Sequence, residues 1–269
     1  MSVVEKEEKV GSKMLVAERR KKIVELVNQK GSVRVTELSN MFSVTEETIR
    51  RDLDILESQN KLRRSHGGAV RIQDREVPYF EREITNVKEK QAIAQLAIQW
   101  IQPGDRIILD ASTTAWYMAK IMPNHPLTVL TNSIKVALEL SEKEKINVIS
   151  TGGQLSPRSL SFVGPLAEKS LQQYHVNKAF LSCQGIHTTR GISESNELQA
   201  LVKRKMMEIA DEVNLMVDYS KFGEQAFAHS GELHQLDRVI TDAKTKEHYL
   251  HELREKGLEV IQVKEDVRA

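Results

Sequence analysis

Val44-Thr45-Glu46-Glu47-Thr48-Ile49-Arg50-Arg51-Asp52-Leu53, with His66-Gly67-Gly68-Ala69 downstream, sets the reading of the N-terminal part of the chain. Thr45 is placed to cap a helix that starts at Glu46 and runs to about Gln59, with Glu46 and Glu47 favourable in its first turn. Ile49, Leu53 and Leu56 follow at i, i+4 and i+7 and make one buried face. That arrangement turns Glu47, Thr48, Arg51 and Asp54 outward, puts Arg50 at the flank and points Asp52 toward the core. An exposed helix start bearing Thr and Arg suits the DNA major groove, where arginine bonds guanine bidentately.

The flanking residues fit the same picture. Ala17 to Lys30 read as a helix, with Ile23, Val24, Leu26 and Val27 at helical spacing and Gly31 as its stop. Ser32-Val33-Arg34-Val35 is short and β-branched, and Thr36 is the expected cap of a short helix, Glu37 to Phe42. Ser43-Val44-Thr45 makes the tight turn. Downstream, Leu62 to Ser65 and Ala69 to Ile72 read as a hairpin around His66-Gly67-Gly68. Arg63, Arg64 and Arg71 put charge on that hairpin, next to phosphates or the minor groove. Without the hairpin, a three-helix bundle with exposed arginines is an equal alternative. With it, the order is that of a winged helix-turn-helix.

The charge distribution agrees. The chain has 269 residues, 40% apolar and 29% charged, with a net charge of +1. Residues 14–75 hold 13 Lys/Arg against 9 Asp/Glu, while residues 76–269 hold 23 against 26. A basic segment beside a mildly acidic remainder suits a nucleic-acid-binding module joined to something else. The single cysteine, Cys183, excludes an intramolecular disulfide framework. No apolar run approaches the roughly 18 residues of a membrane span, and Met1 to Lys13 lack the apolar core of a signal peptide. The expectation is a cytoplasmic protein with no membrane partner.

Residues 1–14 are expected to be a disordered extension, 15–72 the DNA-binding domain, 73–87 a linker and 88–265 a second domain. In that second domain the chain alternates strand and helix. Arg106–Leu109, Thr128–Leu130, Asn147–Ile149, Ala179–Ser182, Asn214–Val217, Arg238–Thr241 and Glu259–Val263 are the candidate strands. The fold class is therefore α/β with a mostly parallel sheet.

Polar loops follow several of these strands: Asp110-Ala111-Ser112-Thr113-Thr114, Thr131-Asn132-Ser133, Thr151-Gly152-Gly153 and Asp218-Tyr219-Ser220-Lys221. Ligands of open α/β sheets sit beyond the carboxyl ends of the strands. Hydroxyls beside helix N-terminal N–H groups make an anion site, to which Lys221 adds a cation. A small phosphorylated ligand is expected. His175, His187, His229 and His234 share no ligand spacing with carboxylates, so neither a metal nor a cofactor is expected.

The Thr48-Ile49-Arg50-Arg51-Asp52-Leu53 run and the His66-Gly67-Gly68-Ala69 wing resemble the DeoR-type helix-turn-helix of bacterial sugar-metabolism repressors. The resemblance implies operator DNA as partner, read by Thr45, Thr48, Arg50, Arg51, Arg63, Arg64, His66 and Gly67. It continues through the second domain, whose counterpart in that family resembles ribose-5-phosphate isomerase and senses sugar phosphates. The residues it implies for the effector are Asp110, Ser112, Thr113, Thr114, Thr131, Asn132, Gly152, Gly153, Glu197 and Lys221. One departure bears on activity. Ser182-Cys183-Gln184-Gly185 and the basic Lys203-Arg204-Lys205 stand where the isomerases carry catalytic acids. Isomerisation needs a positioned base, so the expected protein is a regulator, with a sugar-phosphate isomerase carrying a basic appendage as the alternative. Ala111 to Tyr117 with Cys183-Gln184-Gly185 is similar to regulators of rhamnose catabolism in bacilli. Reading paired half-sites implies a homo-oligomer, dimer or tetramer.

Overall fold

The computed structural model describes residues 16–30, 32–59, 61–65, 67–70 and 76–264, in two units divided between Gln73 and Asp74. The N-terminal extension, Gly31, His66, Arg71 and the Gln73–Arg75 start of the expected linker lie outside the described residues.

The first unit contains α1 (Val16–Lys30), β1 (Ser32–Arg34), α2 (Val35–Phe42), α3 (Glu46–Ser58), β2 (Arg63–Ser65) and β3 (Gly68–Val70). Thr45 caps α3 from an extended conformation, its hydroxyl accepting from the Thr48 N–H at 3.2 Å. Thr36 does not cap α2, which begins one residue before it. Val33 and Arg34 are held in β1 by pairing with Ala69 and Gly68, and the chain passes straight from strand to helix at Val35. The wing therefore has three strands, in the order β1-β3-β2. Gly68 is required there, because a Cβ would meet the Val33 carbonyl oxygen at 2.2 Å. Ile49, Leu53 and Leu56 pack with Ile23, Val27 and Leu38 as the core. Asp52 points inward. It is 2% exposed and accepts from Arg19 Nε and Arg20 Nε, each at 2.7 Å. A lone buried carboxylate is strongly disfavoured; two guanidinium partners neutralise this one and tie α1 to α3.

The second unit starts with α4 (Tyr79–Glu83) and α5 (Val87–Ala97). It continues with β4 (Arg106–Leu109), α6 (Thr113–Ile121), β5 (Leu127–Thr131), α7 (Ile134–Leu140) and β6 (Ile146–Ser150). Then come β7 (Gln154–Ser156), β8 (Ser161–Val163), α8 (Pro165–Leu171), β9 (Val176–Leu181), β10 (Gly185–His187) and β11 (Gly191–Glu194). The last elements are α9 (Glu197–Glu208), β12 (Ala210–Val217), β13 (Ala228–Gly231), β14 (Arg238–Thr241), α10 (Glu247–Glu255) and β15 (Glu259–Gln262).

The seven strands expected from sequence form one parallel sheet, in the order β15-β14-β12-β9-β4-β5-β6. Both of its faces are covered, as parallel sheets require. Ile107 and Leu109 enter one core with Ala94 and Met118, while Ile108 enters the other with Val202 and Leu253. The β7–β8 hairpin and the antiparallel β10-β11-β13 sheet are additions that the periodicity does not reveal.

Most of the expected linker belongs to this unit. Tyr79 is 1% exposed and its N–H bonds the Arg158 carbonyl at 2.7 Å. The Tyr117 hydroxyl donates to the Glu83 carbonyl at 3.0 Å. One buried aromatic among charged neighbours gives no periodic signal, so this segment reads as linker from sequence.

Candidate functional site

Two sets of residues qualify, one on each unit. On the first, Thr45, Thr48, Arg50 and Arg51 share the start of α3. The Thr45 and Thr48 hydroxyls are 2.9 Å apart. Arg50 meets Glu46 at 2.7 Å, and Arg51, with 77% of its side chain exposed, meets Glu47 at 3.4 Å. Such i,i+4 pairs contribute only about 0.3–0.5 kcal/mol, so both guanidinium groups can exchange these partners at little cost. On the wing, Arg63 is exposed. Arg64 pairs with Asp54 of α3, and its N–H donates to the Glu57 carboxylate at 2.8 Å. Arg64 thus fastens the wing to the helix, while Gly67 makes the tip turn with φ +87°.

On the second unit, a cleft with a volume of about 140 Å³ opens at the carboxyl ends of β4, β9 and β12. That is ten times the roughly 10–15 Å³ one water needs. Ser112, Thr113 and Thr114 enter it from the β4–α6 turn, and Ser182, Cys183 and Gln184 from the end of β9. Asp218, Ser220 and Lys221 follow β12. Arg82, Thr85, Asn86 and Lys90 close it from α4 and α5, and Glu194 and Lys203 complete it.

Ser112 is the N-cap of α6: its oxygen accepts from the Ala115 N–H at 3.0 Å, leaving its own proton to donate. Lys203 meets Asp110 at 3.1 Å and the Ser182 carbonyl at 2.5 Å, and pairs with Glu194. Burial opposes its charge, yet Glu194 and Asp110 hold Lys203 above the ordinary lysine range. Burial pushes Lys90 the other way, down to about 8, with its ammonium on the Arg82 and Thr85 carbonyls at 2.5 and 2.7 Å. Arg82 spends Nε on the Val77 carbonyl at 3.0 Å, while its buried Nη2 has no hydrogen-bond partner among the described residues. The Asn86 amide donates to Asp218 at 2.9 Å. Burial raises the Cys183 thiol above its usual range, which disfavours the nucleophilic thiolate.

Of the residues expected to hold an effector, Ser112, Thr113, Thr114 and Lys221 line this cleft. The others are placed elsewhere. Asp110 is fully buried beneath it, accepting from the Ser112 and Ser182 N–H groups at 3.0 and 2.9 Å. The Thr131 hydroxyl accepts from the Ser133 N–H, and the Asn132 amide donates to the Phe162 carbonyl, each at 3.0 Å. Gly152 and Gly153 form the left-handed turn into β7, where a Cβ on Gly153 would lie 2.9 Å from the Val163 oxygen. Glu197 is exposed in the first turn of α9. Arg82, Lys90, Glu194 and Lys203 were not expected there. They come from α4, α5, β11 and α9, and only the folded sheet brings them together.

A winged helix-turn-helix joined to a parallel-sheet unit with a polar cleft is the build of a one-chain transcriptional regulator. The DeoR-like helix-turn-helix domain matches residues 19–75, and the DeoR C terminal sensor domain matches residues 85–243. An uncharacterized HTH-type transcriptional regulator of Bacillus subtilis, YulB, is 62% identical over 86% of this chain and 90% of its own. A putative aga operon transcriptional repressor of Escherichia coli O157:H7 is 38% identical over 93% of this chain and 94% of its own. An L-fucose operon activator of Haemophilus influenzae is 40% identical over 82% of this chain and 89% of its own. Among solved structures, ribose 5-phosphate isomerase A of Methanocaldococcus jannaschii aligns at 17% identity with a TM-score of 0.39, over 51% of this chain and 55% of that one. The chain belongs to the DeoR family. It is a DNA-binding transcriptional regulator.

Proposed function

We propose that this protein represses a carbohydrate catabolic operon in the bacterial cytoplasm and leaves its operator when a phosphorylated sugar fills the cleft. One observation carries the effector class. The buried Ser112-Thr113-Thr114 turn at the start of α6 shares the cleft with four cations, Arg82, Lys90, Lys203 and Lys221. Hydroxyls, a helix N-terminus and converging cations suit a dianion. The Glu194 and Asp218 carboxylates at the same cleft suit sugar hydroxyls. Relatives named for sugar operons support the carbohydrate reading, and the resemblance to rhamnose regulators makes a rhamnose-pathway phosphate the first candidate. Repression is the direction carried from the aga relative. The protein acts as a homo-oligomer, dimer or tetramer, with Arg51 and Arg50 reading bases and the wing arginines holding the backbone. An effector changes operator affinity only if it binds one state of the protein better than the other.

The test is a gel-shift titration on an operator duplex selected by the protein from a random DNA library, with matched sugars and sugar phosphates. Release by one phosphorylated sugar and by no free sugar is the expected result. Release by a free sugar alone would overturn the effector class, and tighter binding with the phosphate would reverse the direction of control.

A further inference from the structure

Arg82 belongs both to the cleft and to the segment by which the chain enters the second unit. Its guanidinium lines the cleft together with the Ser112–Thr114 turn. Nε donates to the Val77 carbonyl at 3.0 Å, while the buried Nη2 finds no acceptor among the described residues. Nε and Nη2 form one edge of the guanidinium, so that edge has one donor engaged and one idle. Val77 also lines the cleft and stands just past Gln73, where the first unit ends. The segment is pinned a second time where the Tyr79 N–H meets the Arg158 carbonyl at 2.7 Å. Next to Val77, Glu76 is half-buried. Burial raises its carboxyl above the usual carboxylate range, Arg82 pulls it back, and the Glu194 carboxylate pushes it up again. The segment therefore brings its own acid to the cation that faces the cleft.

We infer that Arg82 is the residue through which a bound phosphate acts on the chain leading to the DNA-binding unit: the phosphate takes the Nε–Nη2 edge, and the Val77 carbonyl is released. This rests on the reading that a phosphorylated sugar fills the cleft. A guanidinium edge matches two phosphate oxygens in parallel bonds. Such charge-assisted bonds are roughly twice as strong as one to a neutral carbonyl, so the phosphate wins Nε from Val77. It also supplies the acceptor that the buried Nη2 lacks. The same dianion repels the Glu76 carboxylate and takes over the cation that steadies it. All of these changes loosen residues 76–78 from the cleft. The other end of α4 stays in place, because Lys90 holds the Arg82 and Thr85 carbonyls at 2.5 and 2.7 Å. The loosening thus falls on the side that leads back to Gln73. The Val77 contact differs between the empty and the filled cleft, which is what a ligand needs to shift an equilibrium.

Two measurements on the full chain test this, with the sugar phosphate that releases the wild-type protein in the gel shift above as the probe. The first is amide hydrogen exchange. With the probe bound, Glu76, Val77 and Tyr79 should exchange faster while the start of α6 slows. Unchanged or slower exchange at residues 76–79 would overturn the inference. The second is the ratio of operator Kd with and without the probe, each variant being saturated according to its own isothermal titration. The wild-type ratio is expected to be at least about tenfold. Arg82→Lys keeps the charge but loses the edge; it should bind the probe and show a ratio below about twofold. Lys221→Met, which removes a cleft cation from beyond β12, should need more probe and then reach the wild-type ratio. A full ratio in saturated Arg82→Lys, an equal loss in Lys221→Met, or an Arg82→Lys variant that binds no probe at all would each reduce Arg82 to a ligand contact and overturn the inference. If no sugar phosphate releases the wild type, the effector reading has itself failed and this inference falls with it.

Discussion

The ammonium of Lys203, in the lining of the cleft, lies 3.1 Å from the carboxylate of Asp110, which is fully buried beneath it. With Glu194 on the same ammonium, two carboxylates share one cation at the floor of the cleft, and the β4 and β9 turns are locked to α9.

Lys203→Met should therefore destabilise the second unit strongly, because it strands two buried carboxylates. Breaking a buried ion pair from one side costs about 3–5 kcal/mol. Urea unfolding followed by circular dichroism measures it. A loss within about 0.5 kcal/mol, as for surface substitutions, would contradict the role given to this cluster.

Asp52→Asn should loosen the first unit without touching the second. Arg19, whose side chain is 9% exposed, would lose its countercharge, at a similar cost of about 3–5 kcal/mol. Two resolved calorimetric transitions, only the one for the DNA-binding unit moved down, are expected. A shift in both would mean that the units unfold together.

Arg51→Ala should weaken operator binding and relax the sequence preference at one base pair, by about 1–3 kcal/mol for a bidentate contact. Arg63→Ala should weaken all sequences alike and lower the salt slope by about 1. Arg64→Ala should do the same and in addition loosen the wing, since Arg64 holds Asp54 of α3. Unchanged affinity for Arg51→Ala in a gel shift would remove α3 as the reader.

Effector affinity should fall above pH 8. Burial holds Lys90 down at about 8, so at higher pH the free protein must take up a proton to present a cation. A phosphate monoester, with a second pKa near 6, is already dianionic throughout this range, so the loss belongs to the protein. The limit is about tenfold per pH unit, and Lys90→Met should flatten the profile. Stability runs the other way. The folded-state pKa of Lys90 lies below its ordinary 10.5, so the unfolded chain binds the extra proton and stability rises from pH 8 toward 10.5. A wild-type affinity independent of pH between 7 and 9 would show that Lys90 is not in contact with the ligand.

The sequence was readable where local rules decide the structure. Thr45 caps α3 and Asp52 faces inward because capping and a helical period are properties of a few adjacent residues. The seven strands were legible because β-rich runs buried on both faces stand out between helices. The cleft was legible only in part. Ser112 to Thr114 announce a helix start, and helix starts at strand ends are where ligands sit. Thr131 and Gly152-Gly153 carry the same local signal, yet both lie outside the lining of this cleft, the Thr131 hydroxyl accepting from the Ser133 N–H and the glycines making a turn. Arg82 and Lys90 were hidden in a segment that reads as linker and helix surface. What marks them is Tyr79 anchoring α4 to the sheet unit, a long-range contact with no periodic trace.

The central claim is that a sugar phosphate is held at the start of α6, and the most direct test is isothermal titration of the Thr113→Val, Thr114→Val variant. The ligand is the sugar phosphate that releases the wild-type protein from its operator. Both threonines are buried, 3% and 2% exposed, and valine keeps their size while removing the hydroxyls. The variant should bind its operator as the wild type does and show at least a tenfold loss of ligand affinity, about 1.4 kcal/mol. Wild-type affinity in the variant would contradict the account.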